Sequence, residues 1–171
     1  MLASPRPLLP LLLLAALAGC VKSPTPERRP DQPLPTTIAE AEAFKARGVR
    51  WDNGEIRAYY LRLVQTIAAD DAKHREEGKS AEERGRRAYT TRHDARMLCR
   101  AMMGDPAEVE LLRRRDQEKY GQPDGPTFEQ LVARHREKGL TGDEPFAAIV
   151  RSAGRTDQLT NRAYGVGDPL P

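Results

Sequence analysis

The chain lacks most of the signatures that announce an activity. It contains no Gly-x-Ser-x-Gly elbow, no Gly-x-x-x-x-Gly-Lys-Ser/Thr loop, no His-Glu-x-x-His and no paired Cys-x-x-Cys, so the motif-defined hydrolases, phosphate-loop proteins, zinc proteases and dithiol redox proteins are excluded as first readings. One tryptophan, five tyrosines and three phenylalanines are too few for a platform on which successive bases or sugars could stack. No stretch sustains the period-two alternation of a half-buried strand, and no internal repeat marks a solenoid. Charge of one sign is also lacking. The 28 basic and 25 acidic residues leave only +3, a statement about solubility that points to no nucleic-acid partner. No cofactor and no metal are expected.

Helix punctuation is plentiful. Thr37-Ile-Ala-Glu40 reads as a capping box whose helix Gly48 ends, and Ser80-Ala-Glu-Glu83 as another that Gly104 ends. Asp105-Pro106-Ala-Glu108 places a cap, a proline and an acid in one first turn, with Gly121 as the stop. Asp124-Gly-Pro-Thr127 leads into Phe128 to Lys138, stopped by Gly139, and Asp143-Glu-Pro145 into Phe146 to Ala153, stopped by Gly154. From about Glu55 to Ala72 a single helix is expected, with Ile56, Tyr59, Tyr60, Leu63, Val64 and Ile67 on its core arc. The fold class is therefore all-α, a compact multi-helix domain.

The N-terminus carries a different signal. Arg6 precedes an apolar run from Leu8 to Ala18, about half the length needed to cross a bilayer, and the run closes on Leu17-Ala18-Gly19-Cys20. This resembles the lipobox of a bacterial lipoprotein signal peptide. The resemblance implies cleavage before Cys20, acylation of its thiol and a membrane lipid anchor. Val21 stands where the best-known inner-membrane retention signal has Asp, so it also implies the outer rather than the inner membrane. Residues 1–19 are then a signal peptide, and 20–35 a lipidated cysteine with a proline-rich linker, prolines standing at 24, 26, 30, 33 and 35. The helical domain would run from 36 to 163, and a flexible tail from 164 to 171. The linker favours extended polyproline geometry and reaches on the order of 45 Å. Cleavage removes Arg6, so that 27 basic residues face 25 acidic ones and the formal charge falls to +2. Acylation of Cys20 leaves Cys99 without a bridging partner, and its neighbours Leu98, Met97, Met102 and Met103 suggest a small buried thiol.

Two constellations could carry function. Over 80–103, Arg92, Arg96 and Arg100 recur at spacing four with Tyr89, His93 and Arg86 beside them, next to a core arc of Ala88, Thr91, Ala95, Leu98, Cys99 and Met102. Like charges in register repel unless something negative stands near, so Tyr89, Arg92, His93, Arg96 and Arg100 form the candidate interaction face. Its partner would be an acidic envelope protein, anionic lipid headgroups, or acids of a neighbouring helix. Ionisable residues on apolar arcs form the second set: Asp116 with Val109, Leu112 and Tyr120, His135 with Phe128, Leu131 and Val132, and Asp70 beside Leu63 and Ile67. A structural pair between Asp116 and an arginine of the basic helix is the simplest use, and an acid–base site built on Asp116 with His93 or His135 is the alternative. Asp71, His74 and Glu77 share a face but have no second half to make a metal site. The expected function is a membrane-anchored, non-enzymatic interaction domain. An envelope hydrolase using Asp116, and an immunity or inhibitor lipoprotein against a toxin or lytic enzyme, remain open.

Overall fold

The computed structural model describes residues 34–152. Cys20 and its lipobox, most of the linker, the stop at Gly154 and the tail from 164 lie outside the described residues. Within them the chain is all-α, with no strand. Its helices are α1 (Ile38–Ala46), α2 (Asn53–Val64), α3 (Ile67–Glu76), α4 (Ala81–Met102), α5 (Pro106–Tyr120) and α6 (Phe128–Glu137), followed by helical residues 144–152. Thr37, Ser80 and Thr127 each close a capping box, accepting from the third helical N–H while the Glu or Gln at that position bonds back. Asp52 does the same with Glu55, a start that sequence reading missed.

α4 is the spine, and α1, α2 and α3 each pack against it. Its buried face holds Gly85, Ala88, Ala95, Leu98, Cys99 and Met102, the expected arc save for half-buried Thr91. Around its C-terminal half Leu98, Cys99 and Met102 meet Ala41, Trp51, Ile56 and Tyr59. Ala88 and Ala95 meet Val64 and Ile67. A third cluster joins Phe128 and Val132 to Phe146 and Ile149. The small residue at Gly85 admits that last segment, since a Cβ there would lie 3.1 Å from the Cβ of Phe146.

Two expectations require correction. The single helix over 55–72 is two helices, broken at Gln65 and Thr66. β-branched Val64, Thr66 and Ile67 weaken the helix there, and the break lets Val64 and Ile67, three residues apart, both bury against α4. The register changes with it, so Asp70, expected on the core arc, is exposed. The other difference lies at the domain's start. Pro35, assigned to the linker, is fully buried and accepts a 2.7 Å hydrogen bond from the Tyr59 hydroxyl, and Leu34 packs on the same cluster. The compact unit begins at Leu34.

α5 stands apart. None of its residues is buried, and Leu111 is 66% exposed. Among the described residues no helix is long and apolar enough to cross a membrane.

Candidate functional site

The arginine stripe of α4 meets the loop between α5 and α6. The loop runs over residues 121–127 and carries two prolines and two glycines in left-handed backbone, Gly121 at φ +76 and Gly125 at φ +91. Such a path leaves carbonyls without helical partners, and buried carbonyls require donors. α4 supplies them in sequence. The Tyr89 hydroxyl donates to the Pro126 carbonyl at 3.0 Å, Arg96 Nη2 to that of Asp124 at 2.5 Å, and Arg100 Nη1 to that of Pro123 at 3.0 Å. Arg100 Nη2 also donates to the carboxylate of Asp116 on α5. Gln122 and Gln130 complete the frame by donating to the carbonyls of Gly125 and Tyr120 at 2.7 and 2.9 Å.

Three of the five residues assigned to an outward interaction face therefore point into the protein's own loop. The negative partner that the stripe requires is one carboxylate and a run of carbonyl dipoles. Nothing in the side-chain pattern marks backbone acceptors, and so the sequence did not reveal them. Contact is closest at Gly125, where a Cβ would stand 2.6 Å from Arg96 Nη1 and 2.7 Å from its Cζ. The guanidinium of Arg96 thus occupies the space a side chain at position 125 would fill. Burial, with Arg100 beside it, holds that guanidinium below its ordinary pKa, while burial pushes the Tyr89 hydroxyl upward. Arg96 Nε is buried without a hydrogen-bond partner among the described residues.

His93 stacks on Tyr89, ring centroids 5.6 Å apart, and its Nδ1 lies 3.3 Å from Arg96 Nη2. A neutral Nδ1 accepts that donor; a protonated ring would set two cations together. Arg92 is half-exposed and forms no ion pair among the described residues. Arg86 lies 4.2 Å from the Phe128 ring centroid and bridges Glu82 and Glu129 at 3.1 and 3.0 Å. Hydrogen bonds to those two acids raise its pKa.

The acid–base candidates do not assemble. Asp116 is spent on Arg100, the two side chains being 15% and 12% exposed, and among the described residues no hydrogen bond joins it to His93 or His135. His135 sits on α6, where burial and the charges of Lys138 and Arg151 hold its pKa down. Asp71 pairs with Arg75 and Arg84, each at 2.9 Å, and His74 with Glu77 at 3.0 Å. No group of three or more His, Cys, Asp or Glu among the described residues could hold a metal ion. The Cys99 thiol is buried, donates to the Ile56 carbonyl at 3.6 Å and has its pKa pushed up to about 12 by burial. It packs as a hydrophobe.

One open groove adjoins the clamp. It has a volume of about 580 Å³ between α1, α4 and α5, with Ile38, Met97, Met103 and Val109 supplying apolar walls and His93 and Arg100 at one side. Compared with known proteins, the chain matches no family model, and no curated protein or solved structure shows significant similarity to it.

Proposed function

We propose that this chain is a lipoprotein of the bacterial envelope, anchored through acylated Cys20, whose helical domain is a non-enzymatic interaction module beside the membrane. The anchor rests on Leu17-Ala-Gly-Cys20 at the end of its apolar run. The observation that favours binding over catalysis is the Arg100–Asp116 pair with its neighbouring clamp. Asp116, the carboxylate a hydrolase would use, is committed to Arg100, which also holds the loop through the Pro123 carbonyl. With the domain beginning at Leu34, the chain from Cys20 can extend roughly 40 Å. The module stays confined near one surface, which raises the effective concentration of a weakly bound partner. The outer membrane is the proposed location, on the strength of Val21.

Of the original face, Arg92 and His93 remain for an acidic envelope protein, with Tyr89, Arg96 and Arg100 supporting them from behind. Photo-crosslinking in intact cells from position 92, with buried Ala95 as the control position, tests this directly. A crosslinked envelope protein unique to position 92 is the expected result. Identical patterns from both positions, or none from either, would overturn the reading.

A further inference from the structure

A group of cations without acidic partners lies away from the clamp. Five arginines of α3, α4 and α5 do have such partners: Arg75 and Arg84 with Asp71, Arg86 with Glu82 and Glu129, Arg100 with Asp116, Arg114 with Glu110. The C-terminal ends of α5 and α6 show the opposite. Lys119 and Arg134 both lie over the ring of Tyr120, at 5.2 and 4.8 Å from its centroid. Arg134 and Lys138 occupy one face of α6 at spacing four, where like charges repel. On the adjoining face Lys138 and Arg151 both act on His135. None of Lys119, Arg134, Lys138 and Arg151 forms an ion pair among the described residues.

Helix dipoles do not cancel this charge. A helix C-terminus carries about half a negative charge, so the ends of α5 and α6 offset roughly one of four positive charges. From this surface we infer a docking site for an anionic phospholipid bilayer, with Lys119, Arg134, Lys138 and Arg151 meeting phosphate-bearing headgroups and Tyr120 lying at the interface. The cations are spread over the ends of three helical segments, which suits an array of headgroups better than one small anion. Tyr120 offers the amphipathic ring that sits well at a membrane surface. Charge complementarity carries the inference, and acylation of Cys20 is not required for it.

Vesicle co-sedimentation tests it on the full chain bearing Cys20→Ala, so that anchor and patch fail separately. Any contribution of the N-terminal apolar run is common to both vesicle types, so the readout is the preference for phosphatidylglycerol-containing over pure phosphatidylcholine vesicles. Each cation near an anionic surface is worth about fivefold in binding, so Arg134→Gln/Lys138→Gln/Arg151→Gln should reduce that preference on the order of a hundredfold. Arg87→Gln, which removes an exposed charge outside the patch, should leave it within about fivefold of the parent. Far-UV circular dichroism checks each fold, and the pair Lys138→Gln/Arg151→Gln substitutes if the triple variant fails to fold. The inference is overturned by a parent that shows no preference, by patch variants that keep it, or by an equal loss in Arg87→Gln. It is also overturned if inorganic phosphate at matched concentration displaces the protein, which would assign the surface to a soluble anion.

Discussion

Replacing Gly125 with alanine probes the clamp at its tightest point. Two costs add. Alanine in left-handed backbone at φ +91 costs about 1 kcal/mol. The new methyl would overlap Arg96, driving the guanidinium from the Asp124 carbonyl and losing a charged hydrogen bond worth about 2 kcal/mol. The total is about 3 kcal/mol, read as a shift in the urea midpoint at unchanged slope. Gly142→Ala is the control, because Gly142 also has positive φ, +53, yet no atom lies within 4 Å of its Cβ position; it should cost about 1 kcal/mol. The decisive comparison is Gly125→Ala within Arg96→Ala. With the guanidinium gone only the backbone cost remains, leaving a coupling of about 2 kcal/mol between the two sites. Equal costs of Gly125→Ala in both backgrounds would refute the placement of Arg96 against this loop.

Further outcomes follow from the same contacts. Asp116→Asn keeps the shape of the pair but leaves Arg100 largely buried beside a neutral amide, and should cost about 2 kcal/mol, measured by urea unfolding and recovered in part by adding Arg100→Met. Thr127→Ala removes the cap of α6 and should cost about 1 kcal/mol by the same assay. The folded-state pKa of His135 lies below its ordinary value of 6.5, so between the two values the unfolded chain binds more protons than the folded one. Stability should thus be unaffected by His135 above that range and should fall as pH drops from about 6.5 toward the folded value. His135→Gln should flatten that part of the pH profile, and an unchanged profile would contradict the cause assigned. Cys99, with its thiol pushed up to about 12, should react with a thiol reagent only as fast as the domain opens; rapid labelling of native protein would refute its burial.

Local signals set most of the fold. The caps at Thr37, Ser80, Asp105 and Thr127 and the stops at Gly48, Gly121 and Gly139 act through neighbouring residues, so short-range chemistry predicts them. The buried arc of α4 was equally legible, because apolar spacing on a central helix reports burial directly. The break at Gln65 and Thr66 was not. It carries no side-chain cap and stays near helical backbone, and only packing of Val64 and Ile67 against α4 explains it. Pro35 failed for a related reason, since proline density suggests an extended linker whether or not the last proline is buried. In the candidate site the pairing of Asp116 with the basic helix followed from the cost of a lone buried charge. Clamping of residues 122–126 could not, because its acceptors are backbone oxygens brought near α4 only by the tertiary fold.

Acylation of Cys20 is the claim on which the proposed function most depends, and metabolic labelling tests it. Wild type and Cys20→Ala would be grown with a clickable fatty-acid analogue, and membranes separated from soluble material. The account predicts label and membrane association in wild type, and loss of both in Cys20→Ala. An unlabelled, soluble wild type would contradict it.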